Sequence, residues 1–216
     1  MNPYFSEVHA MNAVRSNGLA GRVARIAATV ALLAPIVNCT SRQLAGTSPA
    51  YLIMDSLLAA PGAQPDTFSG SLASDVLTFG GIFADNGQVT LRVAMKDPGS
   101  TNAPTQPSTT NFITLTRYHV EFVRSDGRNT PGVDVPYAFD GGMTFTVDET
   151  GGSGVFTIVR VQAKAEAPLQ ALVTNGGAQV ISTIAHVTFY GTDQAGRAVS
   201  VTGSISVNFA NWADPS

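Results

Sequence analysis

Cysteine is nearly missing from this chain: Cys39 is the single one among 216 residues. No internal disulfide is possible, so whatever follows Cys39 must be held by its core. About 170 residues can bury roughly 70% of their unfolded surface, which is enough without a covalent staple. Charge is scarce as well. Asp, Glu, Lys and Arg make up 12% of the residues, where about 25% is usual. Together with a hydrophobic content of 44%, this excludes a disordered chain. Long apolar runs are also lacking. The stretch Ile26 to Val37, broken by Thr29 and Pro35, reaches roughly 18 Å as a helix, short of the ~30 Å hydrocarbon core of a membrane.

Setting aside Arg15, Arg22, Arg25 and Glu7 leaves 9 basic against 14 acidic side chains from residue 40 onward, a net charge of −5. A mildly acidic body with scattered arginines has no electrostatic footprint for nucleic acid. What is plentiful is glycine (21) and proline (12), with Thr, Ser and Val dominating the second half. That mixture suits short strands joined by many turns.

The three leading arginines, the short apolar stretch and the polar break at Asn38-Cys39 follow the layout of an export signal. Met11 would give it a more usual length. Ile36-Val37-Asn38-Cys39 resembles the lipobox of bacterial lipoproteins, although that family prefers Gly or Ala where this chain has Asn38. The resemblance implies cleavage before Cys39 and acylation of its thiol, giving a cleaved signal over residues 1–38. Residues 39–48 would form a lipid-anchored tether, and the expected address is the exported side of the cell envelope. Each buried acyl CH₂ contributes ~0.8 kcal/mol to such an anchor. The competing readings are an ordinary cleaved signal, in which Cys39 is incidental, and an uncleaved anchor helix.

From Pro49 the apolar residues recur with period two. The pattern predicts strands over Tyr51–Leu58, Ser69–Thr78 and Val89–Met95, the last opened by a turn at Asp85-Asn86-Gly87. Asp97–Thr110, with three prolines and no large apolar residue, is an exposed loop. Within Asn111–Arg124 the apolar parity switches near Thr116-Arg117, which predicts a β-bulge. Met143–Val147 and Val155–Ala165 read as a hairpin across Asp148–Gly154, and a helical turn is expected near Leu169–Val173. The C-terminus reads as a second hairpin, Val180–Tyr190 and Ala198–Phe209 about the turn Thr192–Arg197, with Ile184, Val187, Phe189, Val199, Val201, Ile205, Val207 and Phe209 as core candidates. About eight or nine strands with turn signals every ~8 to 12 residues predict an all-β fold: one antiparallel β-sandwich over residues 49–216. The terminal run is similar to immunoglobulin-like or fibronectin-III-like strands of bacterial envelope proteins.

Catalytic signatures are sparse. Gly151-Gly152-Ser153-Gly154 is not the G-x-S-x-G of a nucleophile elbow. Beyond Cys39 only His119 and His186 could supply zinc with nitrogen, each in mid-strand. A metal pair would need the two strands adjacent with both rings on one face. Asp126, Asn129, Asp134, Asp140, Asp148 and Glu149 offer loop oxygens, but in no calcium-loop spacing, so turn chemistry is the simpler reading. Arg124, Arg128, Tyr137 and Phe139 form the densest mixture of aromatic and cationic residues, a candidate interaction surface; alternatively the two rings cap one end of the sandwich. Trp212 is expected to close a core edge. The reading that follows is a non-catalytic envelope lipoprotein without cofactor, a binding or structural module whose partner is an envelope protein or polysaccharide. A metal- or carboxylate-dependent hydrolase of envelope polymers and a subunit of a larger surface assembly are the alternatives.

Overall fold

A computed structural model of the chain describes residues 46–175 and 179–212. The expected cleaved signal over residues 1–38, Cys39 and the expected tether as far as residue 45 lie outside the described residues. The unit beginning at Thr47 is compact and all-β. Its elements are β1 (Ala50–Ala60), β2 (Ser71–Asp75), β3 (Asp85–Met95), the two-residue strands β4 (Gly99–Ser100) and β5 (Ala103–Pro104), β6 (Ile113–Val123), β7 (Phe139–Val147) and β8 (Gly152–Val159). A short helix α1 (Val161–Ala165) and a 3-10 helix (Leu169–Asn175) then lead to β9 (Ile181–Asp193) and β10 (Ala198–Ala210).

Eight of these strands form two sheets, one in the order β1-β3-β8 and one in the order β2-β10-β9-β6-β7. Both bury their alternate residues in one core. Leu52, Leu91 and Phe156 come from the first sheet, and Val120, Phe189 and Phe209 from the second. The Phe156 ring bridges them, 5.0 Å from that of Tyr118 and 5.1 Å from that of Phe189. On another side of the core Gly203 of β10 faces β1 so closely that a Cβ there would lie 2.2 Å from the Met54 sulfur. The Met54 and Leu57 side chains fill the space that a side chain at 203 would take, so any larger residue there would have to displace them.

The bulge expected near Thr116-Arg117 is present: β6 shifts register between Leu115 and Arg117 against both β7 and β9. The extra residue turns Ile113 and Leu115, and then Tyr118, Val120 and Phe122, toward the same core. The C-terminal hairpin pairs Ala198 with Thr192 through to Phe209 with Ile181. Within it Ile184 is a correction: it has the parity opposite to Val187 and Phe189 and is 42% exposed.

Other expectations fail for physical reasons. β7 and β8 do not form a ladder, because β7 pairs with β6 and β8 with β3; a single bridge, Asp148 to Gly151, marks the corner where the chain changes sheet. The residues read as the end of a long strand after Val155 leave the sheet at Val159 and wind into α1. Asp85-Asn86-Gly87 is no turn but the start of β3, paired with β8 and β1. The sheets are also not purely antiparallel, since β2 runs parallel to β10 from Ser71↔Ser206 to Asp75↔Ala210. The loop after Asp97 holds the two-residue ribbon β4-β5, exposed as expected, and ends in a 3-10 turn, Thr109–Asn111, that leads into β6.

Candidate functional site

Register and contacts define two ends of this unit. At the end where the chain enters β1, Ser48 faces the Asp193 carboxylate, and the turns after β7 and β9 lie there with the loop after β3. At the far end, β1, β2, β6, β8 and β10 finish and β3, β7 and β9 begin, the two sheets meeting through a Ser74 to Asp85 hydrogen bond of 2.6 Å. Arg160 lies there too, its guanidinium 4.2 Å above the Phe139 ring.

The large exposed apolar side chains are not spread evenly over these two ends. Among the described residues they are Tyr51, Phe79, Phe83, Val133, Tyr137, Val155, Val161, Val180, Ile184 and Trp212. Phe79 and Phe83 lie between β2 and β3, Val133 and Tyr137 between β6 and β7, Val161 in α1, Val180 just before β9 and Trp212 just after β10. All of these belong to far-end segments. Phe79 is 70% exposed and takes φ +48°, a left-handed backbone that a bulky residue adopts only where the surroundings impose it. An open, mostly apolar cavity of about 530 Å³ lies at the same end, walled by Leu77, Ile82, Ala167, Ala171 and Val173. That is within the usual size range of ligand pockets, roughly 300 to 1,000 Å³.

The predicted interaction residues divide. Arg124, Arg128 and Tyr137 all lie in the far-end connection from β6 to β7. Arg124 is held by Asp126, and Arg128 reaches Asp134 at 3.3 Å. The Arg124 guanidinium and the Arg128 backbone N–H hold the Asp126 carboxyl down at about 2. Tyr137, 54% exposed, lies across Gly132, whose φ is +74° and whose missing Cβ would fall 2.4 Å from the tyrosine oxygen. Phe139, by contrast, is buried beneath Arg160 and edge-on to Tyr118. Its ring belongs to the core and not to the interaction surface. Trp212 is at the rim, 37% exposed, its backbone N–H donating to Asp75 at 3.0 Å.

The two histidines occupy adjacent strands on the outer face of the larger sheet, where His119 is opposite Thr188 and His186 opposite Glu121. Each ring is engaged separately: His119 with Asp140 at 3.3 Å and His186 with the Ser204 hydroxyl at 2.8 Å. Among the described residues no three His, Cys, Asp or Glu side chains are grouped to hold a metal ion. The acidic loop residues spend their oxygens locally. Asn129 accepts from the Arg124 N–H and Asp134 from the Thr130 N–H, while Asp148 accepts from both the N–H and the hydroxyl of Thr150.

One far-end feature has no signal in the sequence. Lys164 of α1 and Asp85 of β3 are both shut away from water, with side chains 1% and 0% exposed and Nζ 2.8 Å from Oδ1. Ser74 donates to the other carboxylate oxygen and the Gly62 N–H to Oδ1 at 2.8 Å. Burial pushes the Asp85 carboxyl up, against the pull of Lys164, Ser74 and Gly62. Nearby, Arg160 Nε is buried without a hydrogen-bond partner.

In comparisons with known proteins, the chain matches no family model, no curated protein and no solved structure. No helix among the described residues is long and apolar enough to cross a membrane.

Proposed function

We propose that this chain is an envelope lipoprotein, anchored through Cys39, whose β-domain is a non-catalytic binding module that takes a protein partner on its far end. One observation carries the reading: the exposed rings of Phe79, Phe83, Tyr137 and Trp212 all lie on segments of the end remote from where the chain enters β1, the end that also holds an apolar cavity. Exposed apolar side chains grouped at one place mark contact surfaces, and aromatic residues with arginine are enriched there. A polysaccharide would call for a more polar face, so a protein is the better fit.

Within the all-β class, the strand order supports an immunoglobulin-like sandwich. The order β1-β3-β8 corresponds to strands A, B and E of that fold, and β10-β9-β6-β7 to G, F, C and the added C′ of its variable type. Strand D has no counterpart among the described residues, and neither does the buried tryptophan of antibody domains.

Two experiments test the proposal. Cys39→Ala should move the protein from the membrane to the soluble fraction and abolish labelling by a fatty-acid probe; unchanged fractionation and labelling would remove the anchor. For the module, the full chain is solubilised from membranes and its companions compared with those of a Phe79→Ser, Phe83→Ser variant. A companion retained by the parent and by Thr188→Ala but lost from the double variant supports the far end. A companion retained by all three contradicts it.

A further inference from the structure

We propose that Lys164 and Asp85 condense to an intramolecular amide, an isopeptide cross-link joining α1 to the first residue of β3. The inference goes beyond the binding role and does not depend on it.

The geometry is that of two reactants held together and dry. The Lys164 amine lies 2.8 Å from Asp85 Oδ1, across 79 positions of sequence, with both side chains buried. Such contact replaces an encounter by a fixed juxtaposition, and well-oriented intramolecular reactions gain large effective concentrations. The carboxylate is fixed from two further sides, by the Gly62 N–H on Oδ1 and the Ser74 hydroxyl, 2.6 Å from Oδ2. As an ion pair alone the arrangement is poorly explained. Lysine and aspartate are almost never fully buried unless paired, and a buried pair typically stabilises a fold no better than apolar residues of the same volume. A cross-link would do for this domain what a disulfide does elsewhere, and no cysteine follows Cys39.

The step balances without any co-reactant. Nζ passes one proton to the carboxylate, leaving a neutral amine beside a carboxylic acid. Desolvation, which raises the Asp85 pKa, favours that neutral pair. The nitrogen lone pair then attacks Cγ, forming the Cγ–Nζ bond, while the Gly62 N–H steadies the charge that develops on Oδ1. With the first proton on Oδ2, a second passes from Nζ to that same oxygen, which the Ser74 hydroxyl holds in place. The Cγ–Oδ2 bond breaks, Oδ2 departs as water and Oδ1 remains as the amide oxygen.

The test is mass spectrometry of the purified full chain, denatured and digested with a protease. The expected product is one branched peptide that joins the segments containing Lys164 and Asp85 and weighs one water less than their sum. It should be absent from Lys164→Arg, which keeps the positive charge but lacks a primary amine, and from Asp85→Ala. Recovery of the two wild-type segments as separate, unmodified peptides would overturn the proposal. So would a water loss that persists in Lys164→Arg, because it would place the dehydration elsewhere, for example at the Asp126-Gly127 or Asp140-Gly141 steps.

Discussion

At the end where the chain enters β1, carboxylates close the turns by accepting from the backbone: Asp193 from the N–H groups of Ala195 and Arg197, and Asp148 from that of Thr150. The far end has such turns too, at Asp126 and Asp134, but adds features of another kind. There the chain buries a lysine with an aspartate, leaves Arg160 Nε without an acceptor, bends Phe79 into a left-handed backbone and exposes aromatic rings. The first end departs from the rules of a stable fold at one point, Asp193 Oδ2, which is buried without a hydrogen-bond partner. The second departs from those rules at several points, and departures of that kind collect where a surface is used for binding or chemistry.

The contrast is broken most forcefully at Lys164. Lys164→Met leaves the Asp85 carboxylate buried and uncompensated, and removing one partner of such a pair costs about 3 to 5 kcal/mol. Urea unfolding at neutral pH should show that loss. The double variant Lys164→Met, Asp85→Leu should recover part of it, because it no longer buries a lone charge. A single variant as stable as the parent would mean that the pair is not buried as described.

A smaller effect is expected at the entry end. Asp193→Ala removes the acceptor of two backbone N–H groups in the turn before β10. With hydrogen bonds to a charged group contributing roughly 1.5 to 3 kcal/mol, a loss in that range is expected by the same unfolding assay. Burial of Asp193 works against ionisation, yet the Arg197 N–H, the Ser48 hydroxyl and the Ala195 N–H outweigh it and hold the carboxyl below its ordinary value. Asp148 and Asp126 are held low as well. A carboxyl lowered in the folded state adds stability that is complete above its unfolded value near 3.8 and is lost as pH falls through the folded one. Unfolding followed by acid titration should therefore show stability falling below that value, with a weaker fall in Asp193→Asn.

The smallest change in stability is expected at Phe79, and it sharpens the comparison. Asparagine tolerates a left-handed backbone better than phenylalanine, so Phe79→Asn should leave stability within about 0.5 kcal/mol of the parent while weakening association with the companion. A marked loss of stability would make Phe79 a structural residue.

Much of the fold is legible in the residues themselves, because a half-buried strand writes its two faces as alternation. The parity switch in Ile113–Phe122 locates the bulge, and the proline-rich loop and terminal hairpin fall where composition and turn residues place them. Alternation does not say which strand is the neighbour, however. Met143–Val147 and Val155–Val159 therefore read as a hairpin although they belong to different sheets. It also fails where a strand ends inside an apolar stretch, as at Val159, and where two apolar residues differ in parity, as Ile184 and Val187 do. The far-end site was only partly visible. Arg124, Arg128 and Tyr137 stand out by local density, whereas Phe79, Phe83 and Trp212 join them only through topology. Lys164 falls near the end of the stretch that reads as a strand and looks like any surface charge there, because its partner lies 79 positions away.

The most direct test of the binding-module account is site-specific photo-crosslinking of the intact full chain in its native cells. A photoreactive amino acid is introduced at Phe79 in one variant and at Glu149, on the turn between β7 and β8, in another. The account predicts one discrete protein adduct from position 79 and none from position 149. Adducts from position 149 alone, or from neither position, would contradict it.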